Sequence, residues 1–452
     1  MAEHSWDSDG PTLKEVVAQC CKRIDIGTAV LPKPLFLRDV EVDETEEGGA
    51  TSQIAGATVD VIAQEGEDVP HGLRRSGKES KYAKVLQGEF NAIVIEHHLK
   101  WAPLCETLPG PISPSTPSTR IGRYDFEHVD QMVDWALSKG IKVKGHVLIW
   151  HVTTPGFINE QMSASQMREH MRRHIFTTVG HFRGRIHMWD VVNEALAPDG
   201  TLAQNIFLKK LGPSYIEDAF RWAHEADPTA FLIYNDNKVE GMGGPNADKS
   251  NGFYSLLKGL KEKGVPVHGA GMQAHFNAGG VGRQRCPTPR MVKQQICRLG
   301  DLGLKVNISE MDVRVSKLPK NLQEVAQTQI YRDILAAALS EPAFDGIWLW
   351  GFSDRHTWVK QFYYDDQPLV FDEVYSRKPS YHGLRDAIAT LAPGGSVGGG
   401  VPLTSDHDAE GNAWGHLWMQ PEPKSSDPVL GTAATPTADD VGDSRPDWLQ
   451  ST

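Results

Sequence analysis

Cysteine is scarce in this chain, which has 452 residues and five cysteines at scattered positions. A disulfide scaffold and a zinc site both need cysteines at closely grouped spacings, so neither is expected. Cys286 and Cys297 are near enough in sequence to bridge a loop to a helix, and that pairing stays open. The histidines are spread over different segments without a shared ligand spacing, so we expect no metal and no cofactor.

Long apolar runs and an excess of positive charge are also missing. No run approaches the roughly 20 apolar residues of a membrane span. The N-terminus, MAEHSWDSDGPTLKE, lacks the basic and then apolar regions of a signal peptide, which taken literally predicts an intracellular chain. A net charge of −12 argues against nucleic-acid and anionic-membrane partners, because phosphates would be repelled.

What is present from Ile24 to about Leu391 is an alternation of short β-branched runs with amphipathic segments such as Asp125–Gly140 and Asn321–Glu341. The strand candidates are apolar on both faces, as parallel strands covered by helices are. They are Ile24–Val30, Phe90–Glu96, Lys142–Trp150, His187–Glu194, Phe231–Asp236, Gly269–Ala274, Lys305–Asp312 and Phe344–Phe352.

Eight such strands with intervening helices predict an α/β fold, a closed (β/α)₈ barrel. The alternative is an open doubly wound sheet, which more naturally has a glycine-rich turn after its first strand; GTAVLPKP is not one. We expect a flexible N-terminus over 1–12, the barrel over 13–391, an insertion after the first strand at about 31–81, and a low-complexity, disordered tail over 392–452.

Polar residues collect where the strand candidates end. In a (β/α)₈ barrel these carboxyl ends meet at the active-site face. Each residue taken alone has a structural explanation, since a strand-end Glu is more often an ion-pair partner and a strand Trp is more often core. Their coincidence on strand after strand indicates a site. In strand order they are Glu96, His97, Lys100 and Trp101; His146, Trp150 and His151; Asn193 and Glu194; Asn235 and Asp236; Gln273 and His275; Glu310 and Asp312; Trp350, Asp354 and Trp358.

Two carboxylates beside aromatic rings suit the cleavage of a glycosidic bond. One carboxyl donates a proton to the departing sugar oxygen, and the other attacks the anomeric carbon or activates water. The apolar faces of sugars stack on Trp, and their hydroxyls need amides and charged groups. A GxSxG elbow and a P-loop are both absent from the sequence.

Several segments together resemble glycoside hydrolase family 10, the endo-β-1,4-xylanases, and they stand in the order of that family. The resemblance covers roughly Leu13 to Leu391, interrupted by the insertion. The segments are GHVLIWH, WDVVNEA, GMQAHF, NISEMDV, IWLWGFSDRHTW and RKPSYHGL.

The resemblance implies a role for each matching residue. Glu194 would be the general acid/base and Glu310 the nucleophile, about 5–5.5 Å apart as in retaining enzymes. Asn193 would bind the 2-hydroxyl of the sugar being cleaved. His275, held by Asp312, would keep Glu310 ionised and aimed.

The remaining site residues would bind a polysaccharide, xylan or a related β-1,4-glycan, and we expect the protein to act as a monomer. The family's substrate also implies an extracellular location, in conflict with the missing signal peptide. The substrate-binding candidates are Glu96, His97, Lys100, Trp101, His146, Trp150, Gln273, Trp350 and Trp358.

His97 departs from the family pattern, which usually has Asn after the Glu at this point. An imidazole is bulkier and can carry charge, so substrate preference at the −2 subsite is open. One alternative to a xylanase is therefore a β-1,4-glycanase of different specificity. The missing signal peptide and the insertion leave open a second, a non-catalytic glycan-binding relative. The second is disfavoured because binding alone does not need both Glu194 and Glu310.

Overall fold

The structure of the protein is a computed structural model that describes residues 10–19, 24–36, 79–107 and 121–390. Most of the predicted insertion and all of the predicted tail fall outside these residues. Of the N-terminal segment expected to be flexible, residues 10–12 are described, and Thr12 exchanges two hydrogen bonds with Glu15. Among the described helices, none combines the length and the apolarity that a bilayer crossing requires.

Eight parallel strands form a closed barrel, which confirms the predicted (β/α)₈ fold. The strands are β1 Asp25–Val30, β2 Ala92–Ile95, β5 Lys142–Ile149, β6 Met188–Asn193, β7 Phe231–Asp236, β8 Gly269–Met272, β10 Lys305–Arg314 and β11 Phe344–Leu349. Their bounds lie within three residues of those predicted. Neighbouring strands pair in this order, and β11 returns to β1.

Three short strands extend this framework. β3 (Cys105–Thr107) and β4 (Ile121–Tyr124) form an antiparallel pair, and β9 (His275–Asn277) pairs with the C-terminal part of β10. The α-helices are α1 Leu13–Gln19, α2 Pro32–Phe36, α3 Lys81–Glu89, α4 Trp101–Leu104, α5 Glu127–Ser138, α6 Ala164–His181, α7 Ile206–Leu211, α8 Ser214–Ala226, α9 Ala247–Glu262, α10 Pro289–Gly300, α11 Lys320–Leu339, α12 Val359–Phe362 and α13 Pro379–Ala389.

Glycines in the wall make room for large rings. A Cβ atom on Gly145 of β5 would lie 2.1 Å from the ring of Trp189, and one on Gly27 of β1 would lie 2.3 Å from the ring of Trp348. Both indoles are buried. The apolar part of WDVVNEA is therefore barrel wall, packed to a density that excludes any side chain at the facing glycine.

The cysteine pairing left open by the sequence is wrong. Cys286 is a buried free thiol in the loop after β9, and Cys297 is an exposed free thiol on α10. The two side chains therefore lie in different environments, and no disulfide joins the loop to the helix.

The buried carboxylate of Glu89, at the end of α3 and just before β2, holds the first and last helices together. Arg377 Nη2 donates to Glu89 Oε1 at 2.7 Å, and both side chains are 3% exposed. Glu89 Oε2 also accepts the backbone N–H of Leu13 and the hydroxyl of Tyr381. A single carboxylate on α3 thereby connects α1, through Leu13, with α13 and the residues just before it, through Tyr381 and Arg377.

Replacing Glu89 with Ala is expected to destabilise the fold by about 3 kcal/mol, because the guanidinium of Arg377 would stay buried without its counter-charge. Urea unfolding followed by circular dichroism measures the difference.

Glu79→Ala is the matched control. Glu79 pairs with Lys139 at the surface, and such pairs contribute less than about 1 kcal/mol. Equal destabilisation by the two variants would contradict the role given to Glu89.

Candidate active site

One cleft crosses the carboxyl-terminal face of the barrel, and twelve of the fourteen predicted site residues line it. The other two, Trp101 and Asp312, lie behind the surface. Those in the lining are Glu96, His97, Lys100, His146, Trp150, Asn193, Glu194, Gln273, His275, Glu310, Trp350 and Trp358.

Glu194 follows the last residue of β6 and has a left-handed backbone conformation, with φ of 53°. A non-glycine residue rarely adopts this conformation, and strained backbone of this kind concentrates at functional sites. Its N–H donates to the carbonyl of Asn235 at 3.0 Å. The carboxylate accepts one hydrogen bond from Trp150 Nε1 at 3.0 Å and another from Gln273 Nε2 at 2.9 Å. Both donors are neutral groups.

Glu310 lies within β10 and is 4% exposed. Its Oε1 accepts a hydrogen bond from Asn235 Nδ2 at 2.7 Å, and its Oε2 contacts His275 Nε2 at 3.2 Å. His146 Nδ1 lies 4.0 Å from Oε1. Two imidazoles therefore face this carboxylate.

A chain of side-chain amides connects the two carboxylates. Asn235 Nδ2 donates to Glu310 and also to Asn193 Oδ1, at 3.0 Å. Gln273 Nε2 donates to the same Asn193 oxygen at 3.2 Å and to Glu194 at 2.9 Å. Because Asn193 Oδ1 accepts from both sides, its N–H₂ group is left to donate elsewhere.

His275 lies between two carboxylates, with Nδ1 2.8 Å from Asp312 Oδ2 and Nε2 3.2 Å from Glu310. Trp358 Nε1 donates to the same Asp312 oxygen at 2.8 Å. Burial alone lowers the pKa of His275, but the charges and hydrogen bonds of Asp312 and Glu310 outweigh it and raise the pKa to about 10. The ring is therefore an imidazolium at neutral pH.

A second ion-pair group lies deeper in the barrel. Asp190 of β6 accepts from His146 Nδ1 at 3.0 Å and lies 3.0 Å from Lys144 Nζ. Burial raises the pKa of Asp190, but Lys144 and His146 outweigh that effect and hold it below its usual value. The carboxylate orients the His146 ring toward the cleft. Across the described residues, no three side chains of His, Cys, Asp or Glu converge as metal ligands would.

Glu96, His97 and Lys100 lie at the end of β2, beside Trp150. Burial and the adjacent ammonium of Lys100 lower the pKa of His97 to about 3, so this side chain is a neutral imidazole at any ordinary pH. Lys100 Nζ lies 5.0 Å from the centre of the Trp150 ring. Compared with the Asn that is usual in the family, His97 therefore adds bulk and a neutral ring nitrogen. The positive charge that the sequence left open for this side chain is absent.

Trp101 does not contact the cleft, so its predicted role in substrate binding is wrong. It is 2% exposed and begins the short helix α4, which turns the indole into the core. The ring stacks on His174 with centroids 4.4 Å apart and planes 6° from parallel. Trp350 and Trp358, in contrast, flank the site, at 5.1 Å from the His146 ring and 5.0 Å from the His275 ring.

Asn235, Ser309, Asp190 and Lys144 support the site, although none of them was given a role from the sequence. Asn235 had a signal, since it stands at a strand end. Ser309 Oγ donates to Asn235 Oδ1 at 2.5 Å, and this bond orients the amide so that its N–H₂ group faces Glu310. Asp190 and Lys144 lie in the middle of apolar strands, where the pattern marked them as wall.

A parallel barrel that presents two carboxylates, amides and indole rings in one cleft defines a glycoside hydrolase. The sequence model described as glycosyl hydrolase family 10 matches residues 59–387 of this chain. The chain therefore belongs to glycosyl hydrolase family 10.

Known relatives agree with this family. Endo-1,4-beta-xylanase B of Thermotoga neapolitana is 37% identical over 312 residues, which cover 68% of this chain and 83% of that protein. Beta-1,4-xylanase of Dictyoglomus thermophilum is 32% identical over 317 residues, 66% of this chain and 82% of that one. The crystal structure of xylanase 10B from Thermotoga petrophila RKU-1 in complex with xylobiose superposes with a TM-score of 0.66 at 30% identity, covering 85% and 99% of the two chains.

Of the three histidines that line the cleft, His275 and His97 are expected to be in opposite protonation states at neutral pH. Ring ¹⁵N and ¹³C chemical shifts, followed by NMR from pH 5 to 9, should show His275 as an imidazolium and His97 as a neutral ring throughout. His275→Asn and His97→Asn spectra assign the signals. A neutral His275 ring at pH 7 would refute the electrostatic description given above.

Proposed function

We propose that this protein is a retaining endo-β-1,4-xylanase that hydrolyses internal β-1,4-xylosidic bonds of xylan by double displacement. The observation that carries the proposal is that Glu194 and Glu310 line the same cleft and are connected by one set of amide hydrogen bonds. The substrate class follows from the relatives, which are named as xylanases, and from the structure solved with xylobiose.

The different surroundings of the two carboxylates support different roles. Glu310 contacts the His275 imidazolium, which favours the anion that a nucleophile needs. Glu194 accepts hydrogen bonds from two neutral donors, Trp150 and Gln273, a setting that suits a carboxyl group that must both give and take a proton. We therefore assign Glu310 as the nucleophile and Glu194 as the general acid/base.

In the first displacement, Glu310 attacks the anomeric carbon and Glu194 gives its proton to the departing sugar oxygen. The bond that forms is an ester between Glu310 and the sugar. In the second, Glu194 takes a proton from water, the water attacks the anomeric carbon, and Glu310 leaves as a carboxylate. Two inversions restore the β configuration, so the product keeps the configuration of the substrate.

The amide polarity of the site matches this reaction. The N–H₂ group of Asn193 is the donor we assign to the 2-hydroxyl of the sugar being cleaved, since its oxygen is already used by Asn235 and Gln273. Hydrogen bonds at the 2-hydroxyl strengthen as the oxocarbenium-like transition state forms.

The other lining residues are assigned to subsites as the likeness to the family implies. Those at the −1 subsite are His146, Trp150, Lys100 and Gln273, with Glu96 and His97 at −2, and Trp350 and Trp358 as the rings above the sugars. For the chain as a whole, we propose that the barrel domain spans 13–391, because α1 and α13 are joined through Glu89.

Purified protein is expected to release reducing ends from xylan well before xylose accumulates, with β-anomeric products seen first by ¹H NMR. Glu310→Gln should lower kcat by about 10³-fold or more, because the amide cannot form the ester intermediate. Its melting temperature should stay close to that of the wild type.

Glu324→Gln makes the same chemical change on the exposed face of α11 and should leave the rate unaltered. Near-normal hydrolysis by Glu310→Gln would refute the assignment. The same assay on cellulose-like and mixed β-1,4-glucans separates a xylanase from a β-1,4-glycanase of other specificity. Preferred hydrolysis of a glucan would support the second function, which the bulkier side chain of His97 favours.

A further inference from the structure

Three arginines line the part of the cleft formed by the loops after β9 and by the end of β10. They are Arg283, Arg285 and Arg314. None of the functions assigned above uses them. A neutral xylose chain needs hydrogen-bond donors along its path, but it has no need of several full positive charges at one end.

Arg314 is the more buried of these cations, with 7% exposure. Its guanidinium lies 4.6 Å from the centre of the Tyr363 ring, and Nη2 reaches the side-chain oxygen of Gln284 at 3.5 Å. Among the described residues, Nε finds no hydrogen-bond acceptor and no carboxylate oxygen lies within 4.0 Å of the guanidinium nitrogens. The buried ammoniums of Lys144 and Lys249, by comparison, each contact an aspartate.

Arg285 is half-buried and makes no side-chain hydrogen bond or ion pair with any described residue. A buried or half-buried charge is ordinarily paired, because its desolvation is costly. Arg285 and Arg314 line the same cleft, and neither has a carboxylate partner among the described residues, so together they point to an anionic group on the bound ligand.

A side pocket opens from the cleft at Arg285, which lines both. The pocket is bounded by glycines of the loop after β7 and by residues around Cys286, so its walls carry few large side chains. It is lined by Lys238, Glu240, Gly241, Gly243, Gly244, Pro245, Asn246, Ala278, Gly280, Arg285, Cys286, Pro287, Thr288 and Met291. Among the described residues that line this pocket, Glu240 is the single carboxylate. Its Oε1 accepts a hydrogen bond from the backbone N–H of Ala274 at 2.8 Å.

The position of these arginines along the cleft follows from the barrel order. Going round the ring from β2, the strand β8 is the fourth neighbour in either direction, so its following loop lies across the mouth from Glu96 and His97. Glu194 and Glu310 stand on β6 and β10, between the two sides. If β2 carries the glycone subsites, as proposed above, the arginines lie on the aglycone side.

We propose that Arg285 and Arg314 bind the carboxylate of a uronic acid substituent on the aglycone side of the xylan chain, with the side pocket holding the substituent. This inference rests on the proposed xylanase function and narrows its substrate to acidic, branched xylan. A guanidinium matches a carboxylate with two parallel hydrogen bonds. Such a substituent also supplies the counter-charge that Arg314 lacks within the described part of the chain.

The test compares glucuronoxylan with the same polymer after chemical reduction of its carboxyl groups, which leaves the branches in place and removes their charge. The wild type is expected to have a kcat/KM about fivefold higher on the acidic polymer. A ratio of this size corresponds to the free energy of one partly exposed charge-assisted contact. Arg285→Gln should bring that ratio close to one, mainly through KM, and the wild-type ratio should fall in high salt.

Arg290→Gln is the matched control, since Arg290 is exposed at the start of α10 and lies outside the cleft lining; its ratio should equal that of the wild type. A wild-type ratio of one, or an unchanged ratio in Arg285→Gln, would overturn the inference. A linear xylohexaose serves as the separate check on the proposed function: failure to cleave it overturns both, whereas its cleavage with a ratio of one overturns the arginine site alone.

Discussion

The side-chain amide of Asn235 is the group on which the geometry of the site depends. Its oxygen accepts from Ser309, and its nitrogen donates to Glu310 and to Asn193. Each of these bonds determines the direction of the next one, because an amide has donors on one atom and acceptors on the other. The result is that Glu310 always faces a donor and that the donor side of Asn193 is left for a ligand.

The barrel makes this network possible because it brings the ends of separate strands to one rim. Glu194, Asn235, Gln273 and Glu310 come from four strands that are consecutive in the ring. Their spacing is set by backbone pairing and not by flexible loops, so the carboxylates are held before any sugar arrives. Such preorganisation removes reorganisation cost from the chemical step.

Irregular pairing contributes to the placement of these side chains. The register shifts between His146 and Ile149, between Asp190 and Val192, and between Ile308 and Met311. A shift of one residue changes which face a side chain points to. The shifts lie next to the site residues of β5, β6 and β10, where the chain changes from barrel wall to cleft lining.

Much of this architecture could be predicted from the sequence, because apolar strands and their polar ends leave a local pattern. The barrel was predicted for that reason, and Glu194 and Glu310 came from the same reasoning. Trp101 was misplaced because its position in the chain resembles that of a lining residue, and only the turn into α4 sends its ring to the core. The protonation state of His97 depends on burial and on Lys100, which are properties of the folded molecule. Lys144 and Asp190 were missed because a charge pair inside an apolar strand has no sequence signal until its partner strand is known.

The central claim is that Glu310 attacks the anomeric carbon from one face while Glu194 assists from the other. A 2-deoxy-2-fluoro xylobioside with a good leaving group tests it directly, since the fluorine slows the second displacement more than departure of the activated leaving group and allows the ester to accumulate. Peptide mass spectrometry of the inactivated protein should find one sugar adduct per chain, carried by Glu310. An adduct on another residue, or full turnover with inversion and no adduct, would contradict the account.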